Sequence, residues 1–288
     1  MTSILVPTSG TQTDVNVFAT ALALAEPLRA HMQFYHLRLT PSEAAVRSPH
    51  VDFCVGAGIS ATLDRLERRD KALSSSAARA FLDFCERRQV PMLDSPAGTR
   101  ELSAQWLEET NDSEDRLLFH ARHSDLTVLG RQHNTDLMPA NLIESVLTTS
   151  GRPVVIAPDS AIEGSIRTIV VGWKETGECA RALTAAMPLL VRAERVILFT
   201  AGEAGSPVSE DVNHLARQLA WNGVTAEPRT LCESKDPVAQ QLAEAAAEAR
   251  ADLLVVGGFG HSLLREHVLG GVTRELLEGA KLPVFMMH

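Results

Sequence analysis

Residues Val255 to Leu277 read VVGGFGHSLLREHVLGGVTRELL, with two glycine clusters bracketing a charged, helix-like spacer. The spacing is Gly257-x2-Gly260-x9-Gly270, followed by Gly271, Val272 and Thr273. Glycine lets backbone N–H groups approach a ligand with no Cβ in the way. A helix opening after the second cluster adds unpaired N–H donors and a partial positive charge, which suits phosphate. The residues therefore describe an anion pocket around Gly270 to Thr273. Tight turns and close helix packing account for the same glycines equally well. No GKS or GKT follows, so this is not a Walker loop. Nor does it follow the first strand of a unit, as the GxGxxG dinucleotide fingerprint would.

Other chemistry is sparse. His120 and His123 stand three apart on a predicted helix, a spacing that can hold a metal, but no third ligand lies nearby in sequence. They read as solvated or helix-terminal, away from the expected ligand edge. His261 and His267 flank the glycine spacer, where packing or capping outweighs a phosphate contact. There is no GxSxG elbow and no general base beside a nucleophile, so efficient catalysis is not expected and no metal is assigned. Cys54, Cys85, Cys179 and Cys232 form no CxxC pair and read as isolated thiols. A formal net charge of -9 argues against a broad grip on nucleic acid or an anionic membrane. The opening MTSILVPTSG lacks the basic flank of a signal peptide, and no apolar run reaches membrane-spanning length. A cytoplasmic protein is the expectation.

The elements that would position the glycines alternate between short β-type runs and helical patterns. This predicts an α/β fold with a parallel sheet. Thr168–Trp173 (TIVVGW) and Val196–Thr200 (VILFT) are strands. Between them lies a helix over roughly 176–190, with Ala180, Leu183, Met187 and Leu190 on one face. A helix over 209–222 starts at Ser209, and Val224–Leu231 is a weaker strand that Pro228 pushes to a sheet edge. A further helix starts near Asp236-Pro237, before strands at Asp252–Val256 and Pro283–Met287. The first half repeats the order. SILVP matches TIVVG, MQFYHL matches VILFT, HSDLTVLGR matches RADLLVVGG, and SGRPVVIAP matches AKLPVFMMH. Two tandem doubly wound domains follow, over 1–158 and 166–288. The first carries an insertion over 38–70 and a long helix from Ile59 to Arg88. One helix face, with Leu63, Leu66, Leu73, Ala77 and Phe84, packs on the sheet; the charged remainder is solvated or meets a partner.

The glycine spacing, the strand openings ILVPTSG and IVVGWKE, the tandem layout and the Pro-Val last strands closely resemble the universal stress protein family. The resemblance implies five-stranded parallel sheets of adenine-nucleotide alpha-hydrolase type, strand order 3-2-1-4-5. It also implies pairing of the two halves within one chain, with a homodimer as the common arrangement elsewhere in the family. Carried over, it places Gly172, Ala201 and Val256 around an adenine, and Gly257 and Gly260 along the ribose. Gly270, Gly271, Val272 and Thr273 would face the phosphates.

Two positions depart from the ATP-binding pattern. Gly271 stands where the family has Ser or Thr, which removes a hydroxyl worth roughly 1.5–3 kcal/mol to a charged ligand. Lys174 stands where an Asp is usual, with Glu175 next to it as a substitute carboxylate or Lys174 itself as a phosphate partner. The first half is further from the pattern, with His133 at the second motif glycine and Pro139 in a stretch lacking Gly-Gly. The implied protein is a non-catalytic stress-response module binding ATP or AMP, with or without Mg, in its second domain, and acting through an unidentified protein partner. The alternatives are a slow ATP hydrolase or phosphotransferase using the same site, and an interaction scaffold with no small ligand.

Overall fold

The computed structural model describes residues 2–39, 57–96, 98, 100–111, 115–131, 142–160, 162, 164–201, 207–231, 236–258 and 271–288. The apolar runs form the central strands β1 (Ser3–Thr8), β4 (Leu126–Leu129), β5 (Val154–Ile156), β6 (Thr168–Trp173), β9 (Leu253–Gly257) and β10 (Val284–Met287). Both side-chain rows of such strands are apolar because helices cover both faces of the sheet. Outward from β1 lie β2 (His31–Leu39) and β3 (Ser103–Asn111); outward from β6 lie β7 (Arg195–Ala201) and β8 (Ala226–Leu231).

Among the described residues ten strands join one sheet in the order β3-β2-β1-β4-β5-β10-β9-β6-β7-β8. Each half thus runs 3-2-1-4-5, and the halves share a single sheet. Neighbouring strands are parallel except at the seam. There β5 and β10 are antiparallel, with Val284 opposite Ile156, Phe285 opposite Val155 and Met286 opposite Val154. Pro228 sits in β8 at the outer edge, where its missing N–H costs no ladder bond on the open side. The sequence pattern does not single out β3, because its outer half carries Glu108 and Glu109 and its alternation is weak.

Strand alternation sends Ile4, Val6, Ile169 and Val171 to one face and Leu5 and Val170 to the other. On the first face lie α1 (Asp14–Leu28), α2 (Ala57–Arg88), α5 (Gly177–Leu190) and α6 (Pro207–Ala220). On the second lie α3 (Asp115–His123), α4 (Leu142–Thr149), α7 (Val238–Glu248) and α8 (Gly271–Gly279). Each face carries one continuous core drawn from both halves. Two helix starts differ from the sequence reading. α6 is already helical at Pro207, the first described residue after position 201. α7 begins after Pro237, which is the extended cap residue (ψ 140°) and not part of the first turn.

The inserted helix α2 has 32 residues, so it runs about 48 Å, well beyond the strands it packs on. Its last turns bury Ala77, Phe81, Phe84 and Cys85. Phe34 meets Phe18 at 4.8 Å and Phe81 at 4.9 Å between ring centroids, and Phe81 meets Trp106 at 5.4 Å. Further toward its start, Arg38 at the end of β2 holds Asp70 of α2 at 3.0 Å, while Ser74 donates to Glu108 at 3.0 Å. Among the described residues no helix is long and apolar enough to cross a membrane.

β3 is tied to α3 through Glu109, which accepts two bonds from Arg116 (3.0 and 2.8 Å) and one from the Tyr35 hydroxyl (3.3 Å). The Arg116 bonds, with His120 also nearby, hold the Glu109 carboxyl down to about 2. A carboxyl lowered on folding stabilises the fold above its ordinary value of 4.5, and that contribution is lost as pH falls from there toward about 2. Melting curves across this window are expected to fall less steeply for Glu109→Gln than for the natural chain. Equal slopes would contradict the assignment. His120 lies 3.3 Å from Glu109, and His123 bonds the Phe119 carbonyl at 2.7 Å. These contacts are structural, and no grouping of three metal-ligating side chains occurs among the described residues.

Candidate functional site

The carboxyl ends of β6, β7 and β9 form one edge of the second half. β6 lies between β7 and β9, so the strand order reverses there and opens the position where such sheets receive ligands. Gly172 is in register with Phe199 of β7 on one side and Val256 of β9 on the other. Ala201 follows Thr200, the register partner of Trp173. The structure therefore brings Gly172, Ala201, Val256 and Gly257 to one edge, with Lys174 and Glu175 exposed just beyond β6. α8 begins at Gly271, with the backbone of Val272 and Thr273 in its first turn. Gly260 and Gly270, with His261 and His267, lie outside the described residues.

Two of the glycines face protein. A Cβ on Gly172 would stand 2.6 Å from Leu242 Cδ2 and 3.2 Å from Val256 Cγ1, so α7 packs directly on the end of β6. A Cβ on Gly257 would stand 2.7 Å from the Cys179 nitrogen and 3.0 Å from the Glu178 carbonyl carbon. The first turn of α5 therefore rests on the end of β9. Thr176 caps that helix by accepting from the Cys179 N–H. The contacts of Leu242 and Cys179 with the glycines were not readable, since they come from distant segments.

Gly258 opens the glycine segment and is braced from three sides. Its N–H donates to the Met287 carbonyl (2.9 Å), and its carbonyl faces His288 Nδ1 at 3.3 Å. A Cβ there would stand 2.9 Å from Leu147 Cδ2 of α4, so a helix of the first half covers it. Arg181 Nε donates to the His288 carbonyl (2.9 Å), closing a chain of contacts from α5 through β10 to the start of the glycine segment.

The equivalent edge of the first half is built differently. Asp14, 2% exposed, accepts from Ser9 N–H (3.0 Å), Ser9 hydroxyl (2.8 Å) and Gly10 N–H (2.8 Å). Burial raises its carboxyl and those bonds oppose the rise. The N–H donors of this strand-to-helix turn are thus used inside the protein. Gly10 has φ +77°, and a Cβ on it would lie 2.3 Å from the Leu73 carbonyl oxygen, so the backbone of α2 closes directly over the turn. His133 and Pro139 lie outside the described residues.

Residues 181–288 match the model of the universal stress protein family. A universal stress protein from Archaeoglobus fulgidus DSM 4304 superposes with a TM-score of 0.69 at 14% identity, covering 99% of this chain and 97% of that one. A functionally unknown protein from Pseudomonas aeruginosa PAO1 superposes with a TM-score of 0.54 at 14% identity, covering 99% of this chain and 92% of its own. At these identities the likeness establishes the fold over the whole length. Among curated proteins, none matches the sequence.

Proposed function

We propose that this chain, whose residues 181–288 match the universal stress protein family, is a member of that family and takes one adenine nucleotide at the carboxyl edge of its second half. In this reading residues 1–158 and 166–288 are two domains, and only the second binds. ATP or AMP lies with its base near Gly172, Ala201 and Val256 and its ribose along Gly257 and Gly260. Its phosphates lie at Gly270, Gly271, Val272 and Thr273, with Lys174 within the approach to the same edge. The protein acts in the cytoplasm as a stress-response module whose partner contacts depend on occupancy, without turnover.

The observation that carries this reading is the contrast between the two edges. In the second half, α8, described from Gly271 onward, follows β9, which lies beside the point where the strand order reverses, and a helix start there would suit phosphate. In the first half, Asp14 takes the turn N–H groups and α2 lies against Gly10. The turn after β1 thus has its N–H groups engaged within the protein, which supports a ligand at the second-half edge alone.

The test is a titration with ATP and AMP on the natural chain and on Gly270→Val. A valine side chain in a backbone cradle is expected to abolish binding while leaving the melting temperature without ligand within about 2 °C. Unchanged affinity would refute the assigned site. Hydrolysis of bound ATP within minutes would replace the sensor reading with that of an enzyme.

A further inference from the structure

Arg131 occupies the first-half position that Gly258 occupies in the second, each following the glycine that ends the strand segment beside β1 or β6. At that position the second half has no side chain and is covered by Leu147 of the first half. The first half instead sends a long cation across the seam. The Arg131 side chain is only 7% exposed; Nη1 lies 3.3 Å from Asp159, and Nη2 donates to the carbonyl of Ala280. Ala280 follows the last residue of α8, is 1% exposed, and its own N–H still closes a helical bond to Leu276 at 3.1 Å. Its carbonyl belongs to the helix end, where carbonyls lack partners within the helix and a buried one needs a donor from elsewhere. A guanidinium there also opposes the negative end of the helix dipole. The amide of Asn16, in the first turn of α1, bonds the Asp159 carbonyl, so the tether is anchored to the first half at two points.

From this geometry we infer that Arg131 is a positioning residue for the second half's ligand edge: held by Asp159, it fixes the end of α8 and thereby the placement of its first described turn, Gly271 to Thr273. α8 has nine residues, about 13 Å, short enough to move as a rigid rod. A shift at Ala280 is therefore passed along the helix to the turn at Gly271. The half whose turn after β1 is filled by Asp14 and α2 supplies the brace for the other. The role at the ligand rests on the proposed function; the tether itself does not.

The test compares Arg131→Ala, Arg131→Lys and Asp159→Asn with the natural chain by amide hydrogen exchange and by titration with ATP and with adenosine. Arg131→Ala is expected to speed exchange over residues 274–279 while β6 and α5 keep their rates. ATP affinity falls about tenfold, as for loss of a charge-assisted bond, and adenosine affinity is unchanged, because only the phosphates meet α8. Arg131→Lys restores most of the protection, and Asp159→Asn gives a smaller loss in the same segment. Unchanged exchange over 274–279 in Arg131→Ala overturns the inference, as does equal weakening of ATP and adenosine. If the natural chain takes up neither compound, the proposed function fails, and exchange over 274–279 alone decides whether Arg131 holds the helix.

Discussion

Gly10→Ala is expected to destabilise the protein by on the order of 3 kcal/mol, combining left-handed backbone strain with overpacking. That corresponds to roughly a 6 °C fall in melting temperature for a chain of this size. The residue has φ +77°, which an L side chain adopts at a cost, and the new Cβ would point at the Leu73 carbonyl oxygen 2.3 Å away. Backbone cannot rotate aside as a side-chain tip can, so either the turn or α2 must move. α2 is the weaker party, because its leading half extends past the sheet and its firm packing begins near Ala77. The loss should therefore show first as faster hydrogen exchange and easier proteolysis over residues 61–75, before global unfolding. A melting temperature within about 1 °C of the natural chain, with α2 equally protected, would contradict this packing.

The second large effect is expected at Gly257. Gly257→Ala puts a Cβ 2.7 Å from the Cys179 nitrogen, 2.9 Å from its sulfur and 3.0 Å from the Glu178 carbonyl carbon. Two of these atoms are backbone in the first turn of α5, so the helix start must shift off β9 at a cost of about 2–3 kcal/mol. Adding Cys179→Ala removes only the sulfur contact and should recover little. Gly172→Ala makes the comparison informative. Its close neighbours are the methyl ends of Leu242 and Val256, so combining it with Leu242→Ala should relieve most of the clash. Calorimetric melts of the four variants distinguish these cases; full recovery in Gly257→Ala/Cys179→Ala would show that the backbone contact does not govern. Because Gly257 and Gly172 lie in the proposed site, both single variants should also weaken nucleotide binding.

These glycines show where sequence reading stops. The central strands were legible because a continuous apolar run such as TIVVG has few other stable settings, and because the order of runs is written twice. Pro228 was enough to place β8 at the edge. β3 escaped notice because a strand carrying Glu108 and Glu109 depends on Arg38, Arg116 and the Tyr35 hydroxyl for its polar partners, and those come from other segments. The same limit applies at the candidate site. A glycine in a sequence records that a Cβ is missing, without recording what fills the space. At Gly172 and Gly257 the space is taken by Leu242 and by the first turn of α5, at Gly10 by α2, and at Gly258 by Leu147. Asp14 decides where the N–H groups of the first-half turn are used, through bonds that no residue pattern records. The seam, where β5 pairs with β10, follows from two apolar strands that each need a second neighbour.

The central claim is that one edge binds adenine nucleotide and the other does not. The most direct measurement is the stoichiometry of ATP bound per chain at equilibrium, by calorimetric titration of protein first denatured, freed of small molecules and refolded. The account predicts one ATP per chain, displaced by AMP. Two per chain would contradict the closed first-half edge, and none would contradict the site itself.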